Sequence, residues 1–329
     1  MKKLFLILLS VCSVTLLKAQ GDIEDLIKGG AGDANYLVQG YSEPLLKAIG
    51  YGLNQGWYNT AAPHKIAGVD ITIPISLITI PKDAMEYQVD NAKLTQLERL
   101  SGPGGTAQSG KAQTLFGSDK ETTYRIKSNG AELQVPGGLN LKEEIGLSGV
   151  PLPMAQLGFG LPKGTDLKLR FLPKISLGDE GSINMFGFGV LHDVKQWIPG
   201  IKNLPFDLSG FFGYTKLKLN FDGTDGSANY QVNATTIQGL ISKKLSVLTV
   251  YAGVGANIAN TDLSMTGSFD TDDDPSTADQ TMKIVAKASS SGPRATIGMR
   301  LKLAVLTIHG DYTLQGYNAL NVGLGISVR

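Results

Sequence analysis

From Val69 onward the chain alternates: Val69, Ile71, Ile73, Ile75 and Leu77 are separated by Asp70, Thr72, Pro74 and Ser76. A two-residue period of this kind marks a strand with one apolar and one polar face. From Pro153 to Arg329 similar segments follow one another almost without pause. No helix of ordinary length interrupts them, so βαβ units are excluded and an antiparallel sheet is expected. Only Asp33 to Trp57 has helical character. There Ser42 can cap a helix with Glu43 and Pro44 in its first turn, and Leu45, Leu46, Ile49 and Leu53 recur at three- and four-residue steps. Residues 91 to 150 are poorer in apolar runs, and SGPGGTAQSGK reads as loop.

One phrase occurs twice, as KLSVLTVY at residues 244–251 and as KLAVLTIH at 302–309. In the second copy Ala295, Ile297, Met299, Leu301 and Leu303 are the apolar positions. After Leu303 the parity flips, and Leu306, Ile308 and Tyr312 take over. A two-residue hairpin loop at Ala304 and Val305 accounts for the flip, because the residues flanking such a loop face each other and share a side. The first copy behaves alike, with Ile237, Ile241 and Leu245 before a turn at Ser246 and Val247, and Leu248, Val250, Ala252 and Val254 after it.

The joints differ in length. PKGT (162–165) is short and IPGIKNLP (198–205) moderate, whereas DGTDGSAN (222–229) and the run from Asn260 to about Thr281 read as longer polar connections. Short and long joints in alternation are expected of an outer-membrane barrel, which has short periplasmic turns and longer external loops. Arg329 then falls on the short-turn side. The ten alternating residues from Arg294 to Leu303 match the roughly 9–11 that a tilted strand needs to cross the hydrocarbon. A secreted β-sandwich would also alternate, but with its apolar face inward.

Composition favours the barrel. Charged residues are 18% of the chain and glycines number 41, which suits many strands and turns. The start, MKKLFLILLSVCSVTLLKAQ, reads as a secretory signal ending near Gln20; Lys18 closes the apolar run too early for a spanning helix. Cys12, the only cysteine, lies inside that signal, so the mature chain is expected to have neither disulfide nor thiol nucleophile. A formal charge of +1 gives no general attraction to nucleic acid.

These features assign residues 1–20 to the signal, 21–65 to a small N-terminal helical plug or hatch, and 66–329 to an all-β transmembrane antiparallel barrel of about twelve strands, within a range of 10–14. GWYNTAAPHK, VDITIPISLI, GFGLPKGTDLKLRFLPKI, LPFDLSGFFGYTKLKL and the ending GYNALNVGLGISVR resemble a family of uncharacterised Gram-negative outer-membrane β-barrel proteins, similar in plan to long-chain fatty-acid transporters. The resemblance implies location in the outer membrane and passive uptake of a hydrophobic or amphipathic small molecule past an N-terminal hatch. Two departures stand out: Asn59, Thr60 and Ala61 replace the transporters' Asn-Pro-Ala, and the chain ends Ser-Val-Arg rather than in an aromatic residue.

No constellation demands catalysis. His64, His192 and His309 lack a serine at telling spacing, and the acidic run DTDDDPSTADQ lacks the glycine and terminal glutamate of a calcium loop, so neither enzyme, metal nor cofactor is expected. With the apolar face on lipid, Lys168, Arg170, Arg294, Arg300, Lys302 and Arg329 point inward, together with His309 and Asp311. Two roles are open to this basic lumen. It could attract an anionic group of an amphiphile, or its cations could pair with Asp22, Glu24, Asp25 or Glu43 of the hatch, since buried charges are generally paired. Expected partners are outer-membrane lipid, the barrel assembly machinery and a hydrophobic small molecule. The alternatives are a structural or surface-interaction barrel without transport and a soluble lipid-binding β protein.

Overall fold

The computed structural model describes residues 30–104, 109–135, 137–140, 146, 149–178, 181–223, 226–269 and 280–328. The expected signal, Asp22, Glu24, Asp25, Arg329 and most of the acidic run fall outside them.

Among the described residues one helix, α1 (Ala31–Gly52), precedes β1 (Val69–Thr79). Five short strands follow: β2 (Glu86–Asp90), β3 (Leu97–Ser101), β4 (Ser109–Gln113), β5 (Thr122–Ile126) and β6 (Glu132–Val135). The rest is wall: β7 (Gly149–Pro153), β8 (Gln156–Leu161), β9 (Thr165–Ser176), β10 (Gly181–Asp193), β11 (Asp207–Asp222) and β12 (Gly226–Leu245). It continues through β13 (Leu248–Phe269), β14 (Gln280–Ser289), β15 (Gly292–Leu303), β16 (Leu306–Leu314) and β17 (Ala319–Val328).

Twelve strand segments form one antiparallel sheet, and the pairings β1–β17 and β12–β13 close it into a barrel of ten staves. The sequence suggested about twelve because two staves are each written in two pieces. β7 and β8 both pair with β1, meeting opposite Pro74, which has no N–H to donate to a continuous neighbour. β14 and β15 both pair with β13 and are separated at Ser290 and Ser291, just before Pro293.

The wall faces the way the parity requires. Ile297, Met299 and Leu301 are 66%, 57% and 42% open to the surroundings, while Arg294, Thr296 and Gly298 on the other face are buried. Leu303 pairs with Leu306 and Leu245 with Leu248, so both repeated phrases make two-residue hairpins. Ala304 and Ser246 take positive φ (55° and 58°) and the following valines do not, which is the pattern of the type II′ turn that suits strand twist.

The polar stretches behave differently from expectation. Of DGTDGSAN, Asp222 closes β11 and residues 226–229 already belong to β12, and residues 260–269 belong to β13. β12 and β13 contain 20 and 22 residues. At about 3.3 Å per residue β12 is about 65 Å long, roughly twice what a tilted strand needs inside the bilayer. These staves therefore rise beyond the membrane, where polar outward residues are natural.

At that raised end sits a head. Ala34, Leu37 and Val38 of α1 pack with Val89, Leu97, Tyr124 and Leu133 of the short strands and with Met282 and Ile284 of β14. Residues expected to be loop thus form two small sheets, β2–β4 and β3–β5–β6. α1 begins at Ala31, earlier than the expected cap at Ser42; Ser42 lies mid-helix, donating its hydroxyl to the carbonyl of Val38 (2.7 Å). From the head, α1 descends into the barrel, and residues 53–68 thread the lumen to the short-turn end where β1 starts.

Candidate functional site: the threaded lumen and the break in its wall

Every described candidate lies on the inner face, and the wall holds the threading segment along its whole length. Arg170, fully buried, donates to the carbonyls of Leu53 (2.9 Å) and Gln55 (2.5 Å), and its guanidinium lies 3.6 Å from the centre of the Trp57 ring. Arg294 donates to the carbonyl of Asn54 (2.8 Å) and to Oε1 of Gln55 (2.8 Å). These carbonyls lie where the helix ends, so the two cations satisfy acceptors that have no partner within the helix. Lower down, Arg300 donates to Oδ1 of Asn59 (3.0 Å), Ser209 donates to the carbonyl of Ala61 (2.6 Å), and Asp166 accepts from the amide of His64 (2.8 Å).

The other candidates serve the wall itself. Lys168 lies 3.8 Å from Asp70 and 4.0 Å from Asp166, and Lys302 donates to the hydroxyl of Ser327 (3.1 Å). Asp311 accepts from the Tyr251 hydroxyl (2.8 Å) and from Asn321 (2.9 Å). His309 is buried, and neither ring nitrogen has a hydrogen-bond partner among the described residues. Glu43, one of the expected acidic partners, pairs instead with Lys47 at 2.6 Å. Backbone carbonyls, amide side chains and the Thr296 and Thr313 hydroxyls are the described hydrogen-bond partners of Arg170, Arg294 and Arg300. Asp70, Asp166 and Trp57 complete the lumen network and were not singled out from the sequence; Asp70 and Asp166 could have been found as polar positions of alternating strands.

Two groups of contacts tie the helix to the head and to the broken stave. Asp33, buried in the first turn, accepts from the amides of Thr95 (2.7 Å), Gln96 (2.9 Å) and Leu97 (2.7 Å) and from the Thr95 hydroxyl (2.8 Å). On β14, Gln39 both donates to the carbonyl of Lys287 (2.8 Å) and accepts from its amide (2.8 Å), while Asn35 accepts from the amide of Val285 (2.6 Å). Two amide side chains one helical turn apart thus stand in for a neighbouring strand along an edge that would otherwise be open. In the head, the hydrogen bond from Lys111 holds the Glu86 carboxyl below its ordinary range, and burial pushes the Tyr124 hydroxyl well up.

Where β14 leaves β15 the wall has a cleft of about 680 Å³. Val254, Ala295 and Leu314 of the lipid-facing surface line its mouth, with Gly292 and Pro293 at the break. Tyr51 of α1 and Arg294 lie at its inner end. Gly50 permits the helix to approach this break, since a Cβ there would lie 2.6 Å from Oγ of Ser290.

One family profile matches residues 1–328. The chain belongs to DUF6588, a family of unknown function. No curated protein matches the sequence of this DUF6588 chain. Among solved structures it is similar to the attachment invasion locus protein Ail of Yersinia pestis, at 7% identity and TM-score 0.28 over 80% of this chain and 98% of that one. It is also similar to the transport unit of the autotransporter AIDA-I from Escherichia coli (10%, 0.33, 89% and 98%) and to the Pseudomonas putida toluene transporter TodX (6%, 0.17, 79% and 89%). Likenesses with identities and TM-scores this low carry no argument about this chain.

Proposed function

We propose that this DUF6588 protein resides in the outer membrane and admits a hydrophobic or amphipathic small molecule through the break in its wall, without catalysing a reaction. The observation that carries this reading is the cleft between β14 and β15, which runs from lipid-facing Val254, Ala295 and Leu314 to Tyr51 and Arg294. Residues 53–61 fill the lumen beneath α1 and are hydrogen-bonded to the wall, so a straight aqueous channel is an unsuitable route. An apolar body can enter from the side, and a polar or anionic end can meet Arg294. In this reading the amide contacts of Asn35 and Gln39 with β14 set how readily the break widens.

Ala295→Trp and Leu314→Trp, both at the mouth of the cleft, test the idea. In vesicles carrying the purified protein, uptake of a radiolabelled long-chain fatty acid should exceed that of empty vesicles and fall at least fivefold in either variant. Uptake equal in wild type and empty vesicles would favour the second reading, a surface-interaction barrel without transport. The filled lumen and the built head are the observations that favour it.

A further inference from the structure

The outer surface of β9, β10 and β11 carries a cluster of lysines at the upper edge of its apolar band. In the antiparallel register Lys218 of β11 lies opposite Asn184 of β10. A bulge in β9 places Lys174 opposite the same asparagine, because the β10 pairing skips from Ile183–Ile175 to Met185–Leu172. Lys216, two positions below Lys218, lies opposite Phe186. Three lysines therefore stand within two rows of three adjacent staves.

Their surroundings separate them from ordinary surface lysines. No described residue supplies any of the three with an ion pair or hydrogen bond, and no acid stands beside them in the rows. Continued around the barrel, the row through Lys218 passes Gln231 and Asp262 and reaches Lys287, where the lysine does have a carboxylate, 3.7 Å away. The apolar band begins in the row of Lys216, where Phe171 and Phe186 are 66% and 50% open, and below it Phe188 contacts Phe212 and Tyr214 with ring centroids 5.9 Å apart. The lysines thus mark the upper rim of the hydrocarbon, at the head end of the barrel. With short turns toward the periplasm, that rim lies in the outer leaflet.

We propose that this patch binds the phosphate-bearing headgroup of an outer-leaflet acyl-glycolipid, with its acyl chains against the aromatic rings. The proposal rests on the outer-membrane reading above. Cations at this depth, without a counter-ion among the described residues and adjoining an apolar surface, match an amphiphile with phosphate above and hydrocarbon below. A soluble anion would gain nothing from the rings, so the lipid is the source to which the geometry points.

The test uses the full chain and lipid A, a phosphorylated acylated disaccharide. Wild-type protein, the triple variant Lys174→Gln/Lys216→Gln/Lys218→Gln and the control Lys287→Gln are inserted into phosphatidylcholine vesicles with or without lipid A. Heat-modifiable gel mobility checks folding, and native mass spectrometry after extraction counts retained lipid A. Wild type and Lys287→Gln should retain it, dephosphorylated lipid A should be retained at least tenfold less, and the triple variant should lose retention at least tenfold. Equal retention by the folded triple variant would overturn the proposal, as would displacement of lipid A by millimolar inorganic phosphate. Failure of the wild type to enter vesicles would remove the membrane reading itself, an outcome distinct from insertion without lipid retention.

Discussion

The barrel wall and the head solve opposite solvent problems with the same alternating code. In the wall at the level of Ile297 and Ile237 apolar residues look outward, and the inner face carries Thr296, Gln238, Asn257 and Ser242. In the head apolar residues look inward, with Leu37, Leu97 and Tyr124 fully or almost fully buried. β12 passes from one regime to the other. Its inner face is polar at Gln238 and Ser242 but apolar at Val232 and Ala234, where the stave has risen level with the helix. Alternation therefore tells which residues share a face, while the medium on each side decides which face is greasy.

Removing the link between the regimes should have the largest effect. Asp33→Ala leaves three backbone amides of the head without their acceptor, at roughly 1–3 kcal/mol each, so the head should lose at least about 3 kcal/mol. Limited proteolysis should then cut within residues 80–148 while the barrel keeps its heat-modifiable gel shift. If both parts unfold together, head and wall are one cooperative unit. Next in size, Ile297→Lys should destabilise the barrel by about 2–4 kcal/mol in lipid, read by urea titration in vesicles. The head, monitored by its proteolysis, should be untouched. A smaller effect is expected from Gln39→Ala. The amide of Lys287 should lose hydrogen-exchange protection by about tenfold, because the edge of β14 loses both contacts of the mimicked strand.

The smallest prediction concerns pH. Lys111 holds Glu86 below its ordinary range, so the pair contributes stability above the unfolded carboxyl pKa of about 4.3, and that contribution is lost as pH falls through the lower folded value. Both side chains are partly exposed, which limits the contribution to under about 1 kcal/mol. Glu86→Gln should flatten the acid limb of the head's stability curve and lower stability at neutral pH by under about 1 kcal/mol, with the difference from wild type vanishing in acid.

Much of the wall was legible because lipid enforces parity. A one-residue slip of β15 would turn Arg294, Arg300 and Lys302 into hydrocarbon, so Arg294 to Leu303 and the turns at Ala304 and Ser246 carry a clean pattern. The head was hidden for a physical reason: its strands are four or five residues long, and their core is completed by Ala34, Leu37 and Val38 from a distant helix. Polar residues 226–229 and 260–269 read as loop because polarity was equated with lack of structure, whereas these strands stand above the bilayer. At the candidate site the inward set Lys168, Arg170, Arg294, Arg300, Lys302, His309 and Asp311 followed from parity. The partners of Arg170 are backbone carbonyls at a helix end, and a sequence displays side chains only.

The most direct test of the whole account is the environment of the outer face at Ile297 and Leu301. Spin labels placed there singly, after replacement of Cys12, should relax strongly with lipid-dissolved oxygen, while a label at Thr296 should be shielded from it. Labels at Ile297 and Leu301 that are as shielded as the one at Thr296 would mean that this face packs against protein, and the membrane barrel would have to be given up.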